Sequence, residues 1–364
     1  SLRAVVDAPL VLTYHTKYDV DIAKAVRGKL LQESAIRALV QNIASCDEVW
    51  VVSRGAGENL RSLGYEGGYI VMENGVDVPR GRVSDEAIAA ATGRYDLPQN
   101  VPVFLFVGRL MWYKGIRIIL DALKTLCEKN VDFRMVFVGE GADGAEIRSY
   151  AEERKLSDRC FFTGAISERE IIRAWYGRSD LFLFPSTFDT NGLVVREAAA
   201  SGTATVMIRN SCASEGVGDG RNGFCIEENA AAMAAKLEDL CRAPETMRTV
   251  GKNAQRELYV SWETAVQRAM ARYEVVIDNY RSGKYPKREC FGDEFFKTQG
   301  GLMEAFASVG ELSEEIAAGL RIERDEALQT IVRSRQELRE RFGETKQELA
   351  ERYETILQKV DRYL

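Results

Sequence analysis

Histidine is almost missing from this 364-residue chain: His15 is the only one. Seven cysteines are scattered along it, and no two of them form a Cys-x-x-Cys pair. Zinc sites draw on clustered Cys and His, and small secreted scaffolds draw on paired Cys. Both are therefore disfavoured, and the thiols fit a reducing cytosol. No apolar run approaches the ~20 residues that a membrane-spanning helix requires, and no signal peptide opens the chain. The expectation is a soluble, cytoplasmic protein. An excess of positive charge is lacking too. The 49 Lys and Arg stand against 55 Asp and Glu, a formal net charge of -6, which offers no general attraction to nucleic acid or anionic lipid.

What is present is 46% hydrophobic composition, enough to bury two modest cores at this length, and two strand-loop-helix stretches. In the first, VPVFLFVG is too short and too rich in Val and Phe for a helix. It runs through VGRLMWYKG, Val107 to Gly115, into the helical pattern GIRIILDALKTL. A loop feeding a helix N-terminus presents unpaired N–H groups and the positive end of the helix dipole. Arg109 and Lys114 on that loop suit a diphosphate, the guanidinium bonding two oxygens and the ammonium acting as a point charge. The plain alternative is a surface Arg and Lys that pair with neighbouring carboxylates.

The second stretch, Phe184 to Gly202, reads FPSTFDTNGLVVREAAASG. Pro185 ends an apolar strand, and the helix that follows is rich in small residues. Carboxylates accept hydrogen bonds from vicinal hydroxyls. Asp189 in the loop and Glu197 in the helix could thus hold a hexose at one end and a ribose at the other. The amides of Asn191, Gly192, Leu193 and Val194 would face phosphate oxygens between them. Taken alone, Glu197 is as well explained as an ordinary helix-surface acid.

These motifs in this order resemble the donor-binding half of family 4 glycosyltransferases of the GT-B fold. The likeness runs over most of residues 74 to 282. ENGVD at Glu73 to Asp77 resembles the end of the family's N-terminal domain. VGEG at Val138 to Gly141 and FTGAIS at Phe162 to Ser167 resemble its nucleotide loops, and DGRNGF at Asp219 to Phe224 its late turn. The resemblance implies that Arg109 and Lys114 hold the diphosphate, Glu197 the ribose, Asp189 the donor sugar and the backbone around Ile166 the base. Gly108, in VGRL, and Gly139, in VGEG, are expected to join the nucleotide site. The donor is expected to be a UDP-sugar, transfer to retain anomeric configuration, and no metal to be bound. The family usually has Glu where this chain has Asp189, which leaves the choice of sugar open. Ala204 stands where a Pro is frequent.

His15 ends the apolar run PLVLTYH and would by default pack or cap. The segment YHTKYD, however, resembles the one that brings a His across the cleft to the donor sugar. A similar HT-x-Y-acid segment occurs in bacterial diacylglycerol glucosyltransferases, so the acceptor is read as a lipid, a glycan or a small molecule. Lys24, Arg27, Lys29 and Arg37 fall on one expected helix, a face that is usually just solvated, with peripheral contact at the inner face of the membrane as the minority reading.

The expected fold class is α/β. Residues 1–80 read as an incomplete Rossmann-like, acceptor-side part, with a single long helix over Val20 to Ser45. Too few strands precede ENGVD for a full sheet, so the front of that domain is expected to be missing. Residues 81–260 read as a doubly wound, parallel-sheet, nucleotide-sugar-binding domain, 261–283 as a helix crossing back, and 284–364 as a helical extension. In the last, Leu328, Ile331, Leu338, Phe342, Leu349, Tyr353, Ile356 and Val360 suit an apolar stripe. Packing on the protein's own N-terminal part is the first reading of that stripe, homodimerisation the second and a membrane-surface helix the third. Two other functions remain open: a nucleotide-binding regulatory module without turnover, and a scaffold whose tail assembles a complex.

Overall fold

The computed structural model describes residues 8–285. Most of them form one compact unit, Pro9–Gln32 with Cys46–Tyr285, while Glu33–Ser45 group with a second unit. The expected helical extension, with its stripe from Leu328 to Val360 and the dimerisation reading, lies outside the described residues.

Strands in a parallel sheet are covered on both faces, so they read as unbroken apolar runs rather than as alternation. The run VFLFV becomes β4 (Val103–Val107), buried at every position. It is joined by β5 (Arg134–Val138), β6 (Cys160–Gly164), β7 (Leu181–Phe184), β8 (Ala204–Ile208) and β9 (Phe224–Ile226). All pairings are parallel, in the order β6-β5-β4-β7-β8-β9. α4 (Asp85–Thr92) precedes β4; the connecting helices are α5 (Ile116–Glu128), α6 (Gly144–Glu153), α7 (Arg169–Arg178) and α8 (Leu193–Ala200), and α9 (Ala230–Arg242) and α10 (Pro244–Glu257) follow β9. α5 lies against α6 and α9, and α8 against α7 and α10. Right-handed crossovers from a reversing strand order require this division into two layers. The reversal falls between β4 and β7, and a crevice forms there because successive connections leave the sheet in opposite directions. Phe104, Phe106, Phe137 and Phe182, with no exposed surface, fill the core on which that crevice rests.

A second, smaller parallel sheet has the order β1-β2-β3, from β1 (Val11–Tyr14), β2 (Glu48–Val51) and the two-residue β3 (Ile70–Val71). The helix α11 (Trp262–Arg281) returns to it. Trp262 N–H donates to the Val76 carbonyl at 3.1 Å, and the rings of Trp50 and Tyr273 lie 4.8 Å apart. The buried Glu48 carboxylate accepts from Arg272 Nε and Nη2, from Trp50 Nε1 and from the Tyr285 hydroxyl. Burial pushes that carboxyl up, but these hydrogen bonds prevail and hold it below the ordinary carboxylate range.

The single long helix expected over Val20 to Ser45 is instead two, α1 (Tyr18–Ala25) and α2 (Lys29–Ala44). Val26 is extended and Gly28 takes a φ of 100°, a left-handed conformation that a helix interior cannot hold. Gln32 Nε2 meets the Val26 carbonyl at 2.7 Å and satisfies the backbone at the break. The basic residues expected on one helix are thereby divided, Lys24 in α1, Lys29 and Arg37 in α2, and Arg27 between them. Among the described residues no helix is long and apolar enough to cross a membrane.

Candidate active site

The loops after β4 and β7 meet at the reversal. Each ends on a glycine in the left-handed region at the helix N-cap: Gly115 (φ 78°) before α5 and Gly192 (φ 62°) before α8. A Cβ at Gly115 would lie 2.2 Å from the Pro185 carbonyl oxygen, so only glycine lets the two loops touch here. That approach brings Lys114, on the first loop, to Asp189, on the second. Lys114 Nζ lies 2.5 Å from Asp189 Oδ1. Ser186, almost fully buried, donates to Asp189 Oδ2 at 2.5 Å. Both carboxylate oxygens are therefore held, one by a buried cation and the other by a hydroxyl.

A cavity of about 270 Å³ opens beside this pair. His15, Asn74, Gly108, Lys114 and Asp189 line it, with Thr190 and the Asn191, Gly192, Leu193 and Val194 stretch that enters α8. α8 supplies the unpaired amides of its first turn to that wall. The loop that carries Asp189 is tied on its other side to the small sheet. Thr190 Oγ1 donates to the His15 carbonyl at 2.6 Å, Ser53 Oγ to the Thr190 carbonyl at 2.5 Å, and Asn191 Nδ2 to the Val52 carbonyl at 2.5 Å. Lys17 Nζ reaches the Thr187 carbonyl at 2.9 Å. Glu215, on the large domain, accepts from the Arg54 and Gly55 amides, at the start of α3 (Arg54–Ser62).

Of the residues singled out in the sequence, His15, Gly108, Lys114, Asp189, Asn191, Gly192, Leu193 and Val194 come together at this cavity. The remaining four do not line it. Arg109 is exposed on the same loop and forms no ion pair among the described residues. Gly139 sits directly behind, its would-be Cβ 2.0 Å from the Gly108 carbonyl oxygen. Ile166 is half-buried after β6, two strands away. Glu197 is the fifth residue of α8, one turn below the cavity wall. Burial pushes its carboxyl above the ordinary range, although the Tyr176 hydroxyl bonds it at 3.2 Å and Arg169 lies near. Sequence reasoning missed Ser186, Thr190, Ser53 and Asn74. Ser186 and Asn74 sit inside motifs already noted, FPST and ENGVD. Ser53 is marked locally only as the N-cap of its helix, accepting from the Ala56 amide at 3.0 Å; its bond to Thr190, like the partners of Glu215, lies more than a hundred residues away. Among the described residues no group of three or more Cys, His, Asp or Glu is placed to hold a metal ion.

The fold and the site thus define a two-sheet α/β protein with a paired cation and carboxylate at the switch point of its larger domain. The comparisons with known proteins agree. Residues 90–257 match the family model Glycosyl transferases group 1. The D-inositol 3-phosphate glycosyltransferase of Streptomyces avermitilis is 29% identical over 75% of this chain and 61% of its own length. The alpha-monoglucosyldiacylglycerol synthase of Streptococcus pneumoniae is 23% identical over 80% of this chain and 66% of its own. Among solved structures, Anabaena HepE in complex with UDP and glucose superposes with a TM-score of 0.62 at 21% identity, covering 73% of this chain and 71% of that one. By these matches the chain is similar to the group 1, family 4 glycosyltransferases of the GT-B fold, the family model covering less than half of it. It spans less than two thirds of the length of these two curated relatives.

Proposed function

We propose that this protein transfers a sugar from a nucleotide diphosphate sugar to an acceptor hydroxyl with retention of configuration. The observation that carries the reading is the Lys114–Asp189 pair, at 2.5 Å, in a cavity walled by a helix N-terminus. An arriving diphosphate competes for Lys114 and the α8 amides, because its charge is larger and less buried than that of Asp189. Asp189 Oδ1 is then released to accept sugar hydroxyls, while Ser186 keeps Oδ2 in place. As the bond from the anomeric carbon to the phosphate oxygen breaks, charge grows on the departing diphosphate, and Lys114 and the amides stabilise it. The acceptor oxygen forms the new bond on the same face and gives its proton to a diphosphate oxygen, so no protein nucleophile is needed. His15 and Asp189 orient the ring. Exposed Arg109 closes over the phosphates, Glu197 holds the ribose, and Ile166 with the Gly139 loop frames the base.

UDP is the first nucleotide to test, since the Anabaena fold neighbour was solved with it. The curated relatives, named for an inositol phosphate and a glucosyl lipid, support a polyol or lipid acceptor. Calorimetric titration of UDP, GDP and ADP decides the donor. One nucleotide is expected to bind selectively, and Lys114→Ala to weaken it about 30-fold, equivalent to about 2 kcal/mol. Binding of none of the three sinks the reading.

A further inference from the structure

The cavity at Lys114 and Asp189 lies at the carboxyl ends of β4 and β7. At the opposite end of the strands, where β4, β7 and β8 begin, is a larger groove of about 950 Å³. Residues of α4 and α10 line it together with the turns that end α7 and α8. α8 stands between the two sites: Leu193 and Val194 at its start wall the cavity, and Ser201, its C-cap, lines the groove. The eight residues of α8 span ~12 Å at about 1.5 Å each, so a small ion in the groove does not reach Lys114.

The hydrogen-bonding capacity of the groove is unevenly used. The last carbonyls of α7 and α8 would draw a cation, but they already have donors. Gly177 accepts from Arg82 Nε at 2.9 Å, Tyr176 from Thr203 Oγ1 at 2.7 Å, and Ala200 from the Gly81 amide at 2.9 Å and Gln255 Nε2 at 2.8 Å. The two lining carboxylates are engaged as well: Asp85 holds Arg82 at 2.5 Å, and Asp180 accepts from the Val103 amide at 2.9 Å. What is left over is donors. Arg178, half-buried, uses only Nη2, on the Leu97 and Pro98 carbonyls at 2.7 and 3.1 Å, and has no ion pair among the described residues. Burial, with the Arg82 charge adding to it and Asp180 opposing, holds its guanidinium below the usual range, and a bound anion would offset that penalty. Lys252 on α10 is exposed and bonds nothing among the described residues. Arg248, one turn before it, pairs with Glu245 on its own helix at 2.6 Å. Ser201, 6% exposed, has a buried hydroxyl with no hydrogen-bond partner among the described residues, which folded proteins rarely leave so.

We propose that this groove is a second anion site and that it binds a small soluble ligand through a phosphate group. The free side of the Arg178 guanidinium can bond two phosphate oxygens at once, Lys252 and Arg248 add point charges, and the Ser201 hydroxyl gains an acceptor. The chain as a whole carries a net charge of -6, which repels an anionic membrane surface and leaves a concave, locally cationic groove to a free ion.

The test is calorimetric titration of sodium pyrophosphate into the full chain carrying Lys114→Ala, so that the cavity does not compete. Binding is expected to persist there. Adding Lys252→Glu or Arg178→Gln is expected to weaken it at least about tenfold, the scale of a lost charge-assisted bond. Lys252 is exposed, so its variant reports even if Arg178→Gln, which gives up bonds to two carbonyls, fails to fold. Lys124→Glu on α5, in the other helix layer, changes the net charge equally and is expected to leave binding unchanged. The proposal falls if pyrophosphate does not bind the Lys114→Ala protein. It falls as well if Lys124→Glu weakens binding as much as Lys252→Glu does, because general repulsion then accounts for the loss. Sedimentation with vesicles of phosphatidylglycerol and phosphatidylcholine, without pyrophosphate binding, would overturn it in favour of a membrane surface.

Discussion

The loop after β4 and the loop after β7 solve the same local problem, a strand turning into a helix through a left-handed glycine, yet they are held in opposite ways. The first is fixed within its own domain. Gly108 N–H bonds the Val138 carbonyl at 3.0 Å, Leu110 N–H the Glu140 carbonyl at 3.0 Å, and Trp112 N–H the Asp143 carboxylate at 2.8 Å. The second is fixed across to the small sheet, by Lys17, Ser53, the His15 carbonyl and the Val52 carbonyl. A cation on the rigid loop thus faces a carboxylate on a loop whose position depends on a second element of structure. Lys114 is read as binding and Asp189 as positioning for this reason. In the proposed reading, the sugar-contacting side is set by bonds to the small sheet and the diphosphate side by bonds within the large domain.

The largest expected effect separates these roles. Asp189→Asn is expected to lower transfer by about a hundredfold or more, as loss of a transition-state contact does, while UDP affinity holds or improves because Lys114 is released. Steady-state kinetics beside calorimetry would show it, and a parallel loss of UDP affinity would erase the distinction. Next come the glycines. Gly115→Ala meets a backbone oxygen at 2.2 Å, and Gly192→Ala meets the Ala213 Cβ at 2.8 Å and its Cα at 3.2 Å. Both take the left-handed penalty of about 1–2 kcal/mol, but Gly115→Ala is expected to cost more in thermal or urea unfolding. Equal losses would mean that contact between the loops is not what requires glycine. Removing the ties of the second loop with Ser53→Ala and Thr190→Val is expected to reduce turnover about tenfold, the scale of one or two hydrogen bonds, without changing UDP affinity.

The smallest effect concerns the small sheet itself. Glu48 is held below the ordinary carboxylate range, so its hydrogen bonds to Arg272, Trp50 and Tyr285 stabilise the fold above the unfolded carboxylate pKa. That contribution is lost as pH falls through the lower, folded value. Thermal melts over about pH 6 to 3 should show a steeper loss for the wild type than for Glu48→Gln, and identical slopes would remove Glu48 from the account.

Much of the large domain was legible in the chain. The runs VFLFV and LFLF announce strands buried on both faces, and GRLMWYKG and DTNGLVV announce turns into helices, because these choices are enforced by local backbone and solvent requirements. The break at Gly28 was less visible, since a helical apolar pattern continues on both sides of it and one glycine inside such a pattern is often tolerated.

The sequence by itself determined which residues could bear the chemistry: one His, a Lys and an Arg on one loop, an Asp on the other, and a helix start rich in backbone amides. Only the tertiary structure decided that Lys114 and Asp189 bond each other while Arg109 stays exposed, and that Ser186 and Thr190 join the site. The physical reason is range. Turn and strand preferences are set within a few residues, whereas the site is made where β4 and β7 become neighbours by the reversal of strand order, bringing together side chains 75 positions apart in sequence.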